Sequence, residues 1–207
     1  MHIMTIKNII FDWSGTLSND LTSVYNASMF VFKKLGKKPI SMGEYRREFT
    51  LPYMVFWNKY FPKLTKEDED KLYVEAIHQV EEPTIYAGVK EELERLKSLD
   101  INMIVISSHP HDKLIKEASN YGIQSLFQEI NGSIHDKTET ILEIMKRNKF
   151  HPHQTMYVGD MTHDIDAGKK ARVITIALGW GYQSKEKLMK SKPDHYIKNI
   201  SGLHNIL

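Results

Sequence analysis

The run Ile9-Ile10-Phe11 ends in a carboxylate, Asp12, and passes at once into a turn that carries Ser14, Gly15 and Thr16. Three β-branched or aromatic residues without a polar break describe a strand buried on both faces. That is the situation of a parallel sheet covered by helices, not of an antiparallel sheet with one wet side. Open parallel sheets hold their ligands at the carboxyl ends of the strands. Asp12 stands at such an end, Gly15 permits a backbone conformation that other residues resist, and Thr16 offers a hydroxyl and an amide to an anion. A carboxylate placed there can attack phosphorus or hold a metal ion.

Beyond residue 17 the spacing turns helical. Val24, Ala27, Met29, Phe30, Val31, Phe32 and Leu35 recur near helical spacing, and Gly36 closes the segment. Ser41, with Glu44 three residues on, has capping-box spacing and opens a second helix that Pro52 interrupts. Residues 53–62 are the most aromatic part of the chain, with Tyr53, Phe56, Trp57, Tyr60 and Phe61; these can form an insert core or an apolar pocket. Thr65 ahead of Glu67, Asp68, Glu69 and Asp70 suits another helix N-terminus. The pattern therefore predicts a small all-helical lid over residues 18–82, inserted in a core made of residues 1–17 and 83–207.

Pro83 and Gly88 mark the return to that core. Leu93, Leu96 and Leu99 read as one face of a helix, residues 102–107 as a buried strand ending in Ser107, and Lys137 as the start of a further helix through Ile141, Ile144 and Met145. Residues 155–159 form the next apolar run, followed by Asp160 and, four residues later, Asp164; Asp166 caps the following helix or faces away. Carboxylates gathered at a strand end repel one another unless they share a cation, and hard oxygen ligands suit Mg²⁺. Residues 173–177 supply one more buried strand. Strands alternating with helices predict an α/β fold, a Rossmann-like doubly wound parallel sheet.

Composition excludes several classes of function. With 28 Lys and Arg against 26 Asp and Glu the formal net charge is +2, so nothing pulls the whole chain toward nucleic acid or a membrane. The chain has no cysteine, so neither a disulfide framework nor a thiolate metal site can form, and a cytoplasmic location is expected. The first apolar run is too short and too soon charged for a signal peptide or a membrane span. Aromatic side chains in the lid leave monomer and homodimer both open.

Asp12-x-Ser14-Gly15-Thr16 resembles the first motif of the haloacid dehalogenase (HAD) superfamily, in its phosphoglycolate-phosphatase-like branch. Tyr86-Ala87-Gly88-Val89, Ser107, Lys137 and Gly159-Asp160 with Asp164 resemble the later motifs, in the right order along the chain, and residues 194–197 and 201–207 resemble the family's last strand and closing helix. The resemblance implies phosphoryl transfer from a small phosphorylated metabolite through an aspartyl-phosphate on Asp12. It also implies Mg²⁺ held by Asp12, the Ser14 backbone carbonyl, Asp160 and Asp164, with Thr16, Ser107, Ser108 and Lys137 around the phosphate. Ser14 departs from the family, which has a second Asp there to protonate the leaving alcohol and activate water. Loss of such help costs about 10²–10⁴ in rate. Slow hydrolysis, a restriction to activated phosphates, or replacement by His163 or His109 are then the expectations. Two other readings stay open. One is a phosphonoacetaldehyde-hydrolase-like C–P bond hydrolase using a lid lysine such as Lys33, Lys34 or Lys59; the other is a non-catalytic phosphate-ligand-binding or regulatory protein.

Overall fold

Every position of β1 (Asn8–Phe11) is buried, as its unbroken apolar sequence requires. The computed structural model describes residues 5–207, so the first four residues of the expected core segment lie outside the described residues. After β1 come β2 (Ser18–Asn19) and four helices, α1 (Leu21–Lys34), α2 (Met42–Glu48), α3 (Tyr53–Tyr60) and α4 (Lys66–Ile77). Then β3 (Thr84–Ile85), α5 (Val89–Ser98), β4 (Asn102–Ile106), α6 (His111–Asn120), β5 (Glu129–Asn131) and α7 (Lys137–Asn148) follow. The chain ends with β6 (Thr155–Gly159), α8 (Thr162–Lys170), β7 (Ile174–Leu178), α9 (Lys185–Leu188) and β8 (His195–Ile197).

Six strands form one parallel sheet in the order β5-β4-β1-β6-β7-β8. From β1 the chain builds outward through β4 and β5, then crosses back to build β6, β7 and β8 on the other side. The strand order thus reverses at β1, and the carboxyl ends of β4, β1 and β6 border the crevice that such a reversal creates. Ile9, Phe11, Met103, Val105, Met156 and Val158 pack on one face with Leu93, Leu96 and Leu114 of α5 and α6. Ile10, Ile104, Ile106 and Tyr157 pack on the other with Ile141, Ile144 and Ala167 of α7 and α8. This period-two division is that of a sheet covered on both sides, the doubly wound α/β architecture that the alternation predicts.

The helices α1–α4 gather around aromatic side chains. Phe32 is fully buried, with the rings of Phe56, Trp57, Tyr60 and Phe61 at centroid distances of 5.0–6.2 Å. The aromatic stretch is therefore the insert's own interior. Helix starts fall where the capping residues put them: Ser41 Oγ accepts from Glu44 N at 3.1 Å and Thr65 Oγ1 from Asp68 N at 3.2 Å. At its root the insert is not helical, because Ser18–Asn19 pairs antiparallel with Thr84–Ile85; strands of two residues carry no alternation to read. The expected closing helix is instead a 3₁₀ segment, Ile200–Asn205, whose first residue is preceded by Asn199 without a side-chain cap bond and which includes the poor helix former Gly202.

Candidate active site

Phe11 pairs with Val105 of β4 and Val158 of β6, and Asp12 N donates to Val158 O at 2.9 Å, so Asp12 enters the crevice as the strand ends. The turn after it is tied to one atom: the Trp13 carbonyl accepts from the amides of Thr16, Leu17 and Ser18 at 2.9–3.1 Å. Trp13 itself is fully buried, stacked on Tyr121 at 5.7 Å, and donates from Nε1 to Glu117 Oε2 at 2.7 Å. Gly15 has φ +72°, and a Cβ there would lie 2.4 Å from Asp160 Oδ2, so both the backbone and the space demand glycine.

Asp12, Asp160 and Asp164 are all buried and present carboxylate oxygens within 4.8 Å of one another. Lys137, at the start of α7, is buried among them and donates to Asp12 Oδ1 at 2.7 Å and Asp164 Oδ1 at 2.6 Å. Burial works against the Lys137 charge, but Asp12 and Asp164 outweigh it and hold the ammonium well above its ordinary range. Three carboxylates against one ammonium leave the cluster under-neutralised. Burial pushes Asp12 up to about 7, with Lys137 opposing and Asp164 reinforcing the shift. Burial, then the charges of Asp12 and Asp164, raise Asp160 well above the usual carboxylate range.

The three aspartates differ in how far the protein satisfies them. Asp164 accepts from Lys137, from the Tyr157 hydroxyl at 3.0 Å and, through Oδ2, from Met161 N at 3.0 Å. Asp160 accepts from Tyr182 N at 2.5 Å, and the Thr16 hydroxyl stands 3.3 Å from its other oxygen and 3.5 Å from Asp12 Oδ2. Asp164 is thus an anchored partner of Lys137, whereas Asp160 and Asp12 keep free acceptor capacity. Asp166 is exposed and faces away.

Ser107 is buried at the end of β4, one residue beyond the position level with Asp12, where its hydroxyl accepts from His109 N at 3.1 Å. Ser108 is exposed. Neither histidine meets Ser14: His163 is exposed on α8, and His109 Nε2 stands 3.2 Å from Glu117. Every lysine of the described insert, including Lys33, Lys34 and Lys59, is exposed.

Three further parts complete the site, and of these sequence reasoning missed Asp20 and Gln183, while the glycine-bearing loop of residues 179–182 resembles the family's loop at the site mouth. Asp20, at the foot of α1, turns back so that its Oδ1 accepts from Gly15 N at 2.9 Å, while the hydroxyls of Ser14 and Tyr182 also act on its carboxylate. Burial pushes this group up to about 6 against those hydrogen bonds. Gly181 lies so close to Asp160 that a Cβ would sit 2.1 Å from Oδ2. Gln183, fully buried, accepts from Thr162 N at 2.7 Å and donates to Phe49 O of the insert at 3.1 Å; Arg46 adds bonds to the Gly179 and Gln183 carbonyls. The adjacent Asn19-Asp20 and the Gly-Trp-Gly sequence were visible signals; a glutamine that latches the insert to the core was not.

A family model described as haloacid dehalogenase-like hydrolase matches residues 9–178. The chain belongs to this family. It is an HAD-like hydrolase, and the match spans the Asp12 turn, the insert, Lys137 and the Asp160 loop. This HAD-like chain is 24% identical over 202 residues to the phosphoglycolate phosphatase of Synechococcus elongatus, covering 96% of this chain and 95% of that protein. It is 26% identical over 219 residues to the pyrophosphatase PpaX of Oceanobacillus iheyensis, covering 99% and 98%. Among solved structures it resembles a haloacid dehalogenase-like family hydrolase from Streptococcus pneumoniae, with TM-score 0.79, 21% identity and coverage of 97% and 98%. Among the described residues no helix is long and apolar enough to cross a membrane.

Proposed function

We propose that this hydrolase is a Mg²⁺-dependent phosphohydrolase that cleaves a small phosphorylated metabolite through an aspartyl-phosphate on Asp12. The observation that carries the reading is the buried trio Asp12, Asp160 and Asp164 with a single ammonium, Lys137, between two of its members. The donor set fits a hard divalent cation, because two oxygen-rich carboxylates with spare acceptor capacity and raised affinity for protons stand beside the Ser14 backbone. Asp12, Asp160 and the Ser14 carbonyl would hold it, with Asp164 supporting from behind through Lys137. Bound there, Mg²⁺ supplies the positive charge that offsets repulsion between a carboxylate nucleophile and a phosphate dianion.

Asp12 attacks phosphorus in line, the bond to the leaving alcohol breaks, and the phosphoryl group becomes an acyl phosphate. Lys137 favours the ionised form of Asp12 against burial and aims it. Thr16 and Ser107 donate to phosphate oxygens, with Ser108 at the rim. Water then attacks the aspartyl-phosphate, releasing phosphate and restoring Asp12. Positioning and charge carry nearly all of this, as phosphoryl transfer requires.

The curated relatives carry names for two different substrates, phosphoglycolate and pyrophosphate, on similar chains. Both names are of phosphate hydrolases, which supports the reaction class and leaves specificity to the insert. Exposed insert lysines weigh against Schiff-base chemistry, which needs an amine held in an apolar setting. The reading also includes a cytoplasmic monomer or homodimer that acts on small molecules and not on nucleic acid or membranes, in keeping with the small net charge. The test is phosphate release from a panel of phosphate monoesters and pyrophosphate with Mg²⁺ or with chelator. The expected result is Mg²⁺-dependent turnover of at least one compound that Asp12→Asn abolishes; equal release by native protein and Asp12→Asn would sink it.

A further inference from the structure

The last turn of α2 leaves backbone carbonyls that the helix itself cannot bond. Donors from the core take them. Ser184 N reaches Arg46 O at 3.1 Å, Gln183 Nε2 reaches Phe49 O at 3.1 Å, and Lys187 Nζ reaches Phe49 O at 2.6 Å and Glu48 O at 3.3 Å. One side chain of the same turn donates in the opposite direction. Tyr45 is fully buried in the insert, so Arg46, one residue on around the helix, faces the core instead. Its Nη2 donates to Gly179 O at 2.9 Å and to Gln183 O at 3.0 Å, and its Nε is buried. Arg46 forms no ion pair among the described residues, so carbonyl dipoles and not a carboxylate meet its charge.

Those carbonyls are the two ends of the loop 179–183, and the middle of that loop lies on the floor of the site. Tyr182 N donates to Asp160 Oδ2 at 2.5 Å, and a Cβ on Gly181 would stand 2.1 Å from the same oxygen. Trp180 Nε1 donates to Thr16 O at 3.2 Å, and the Tyr182 ring packs against Phe49 of the insert at 5.3 Å. A loop gripped at both ends by one nitrogen cannot lift or tilt without losing a bond. The place of its middle amide therefore follows that of Arg46.

We infer that Arg46 is a positioning residue for the divalent-cation site: by holding residues 179 and 183 it sets the Tyr182 amide and Gly181 against Asp160, so the site reaches full affinity only with the insert docked on the core. The inference rests on the reading of Asp12, Asp160 and the Ser14 carbonyl as that site. A hydrogen bond to one oxygen of a ligating carboxylate orients the other toward the ion, and partners of this kind are worth about 10–100-fold in metal affinity. The insert thus reaches Asp160 through one helix end and one loop, and the effect falls on cation affinity. The coupling is reciprocal, because an ion that binds better to the docked arrangement also tightens the docking.

The experiment measures Mn²⁺ binding to the full chain, from loss of the free-ion electron paramagnetic resonance signal, together with backbone hydrogen exchange in the absence and presence of Mg²⁺. Arg46→Met is expected to weaken Mn²⁺ binding about tenfold or more. Charge alone predicts the opposite sign, since removing a cation from the loop that holds Asp160 would tighten binding of a divalent ion. Without metal, the amides of residues 179–184 should exchange about tenfold faster in Arg46→Met while those of β6 keep their native rate, which marks local opening in a folded core. In the native protein Mg²⁺ should slow the same amides. Arg46→Lys, whose shorter stem reaches only one of the carbonyls, should bind about threefold more weakly than native, and it carries the test if Arg46→Met does not fold. Native affinity in a folded Arg46→Met or in Arg46→Lys, tighter binding in either, or unchanged exchange of residues 179–184 overturns the inference. A native protein that takes up no Mn²⁺ overturns the cation-dependent phosphohydrolase reading beneath it.

Discussion

The floor of the site and the insert above it solve burial in opposite ways. On the floor, Asp12, Asp160, Asp164 and Lys137 bury charge, and geometry must be tight because each polar group needs a partner. In the insert, Phe32, Tyr45, Phe56 and Trp57 bury apolar rings around one another, and many arrangements of similar volume would serve. Charge specifies place far more sharply than apolar area does. Under the proposed phosphohydrolase reading, the floor is fixed by the chemistry it performs and the insert shapes the substrate space.

That contrast predicts different failures in the two regions. The largest effect is expected for Lys137→Met, which leaves Asp12 and Asp164 without their shared ammonium. Turnover should fall about 10³-fold, as for loss of a group that stabilises transition-state charge. Stability should fall by about 3 kcal/mol, measured by denaturant unfolding. A variant that kept native kcat would break the distinction between floor and insert. In the insert, Phe32→Ala should cost about 3–5 kcal/mol by removing the ring that four others surround. Its steady-state loss should fall on KM more than on kcat, and an equal loss in both would mean that the insert orders the floor directly.

Much of this division was legible in the sequence. Buried parallel strands reveal themselves as unbroken apolar runs, and residues at their carboxyl ends have nowhere to go but the crevice, so Asp12 and Asp160 could be placed from the sequence, whereas Ser107, which alone reads as a helix cap, and Asp164, four residues further on in α8, were placed by the resemblance to the family. Lys137 was placeable only through its distance to the next strand, since a lysine alone reads as solvated. The insert could be read as helical from spacing and from the caps at Ser41 and Thr65, but the partners of each aromatic ring could not, because apolar contact is not directional. Asp20 escaped notice because it reaches its partners by folding back across a two-residue strand, and two residues leave no period to detect.

Two smaller effects sharpen the comparison. Gly181→Ala places a methyl group 2.1 Å from Asp160 Oδ2, so Asp160 must shift; a displacement on that scale should lower kcat about 10²-fold and cost about 1–3 kcal/mol of stability. The same substitution at Gly36, where nothing lies within 4 Å of the added Cβ but φ +76° strains any side chain, should cost about 1 kcal/mol of stability, leave turnover unchanged, and serves as the insert's control. Smallest is Glu69→Gln. Burial pushes Glu69 up to about 7 from an ordinary 4.5, with the charge of Asp70 adding to the shift. Between those values the folded chain keeps a proton that the unfolded chain has released, so native stability falls as pH rises through that window. Glu69→Gln should remove that slope, gaining about 1 kcal/mol above pH 7 and nothing below pH 4.5 in paired unfolding curves.

The most direct test of the central claim is to trap the phosphoryl group on the chain. Native protein mixed with Mg²⁺ and a ³²P-labelled aryl phosphate is quenched in acid within milliseconds and mapped by peptide. The account predicts label on Asp12, absent in Asp12→Asn and chased by excess unlabelled substrate. Steady release of phosphate by the native protein with no label on Asp12 at any quench time would contradict it.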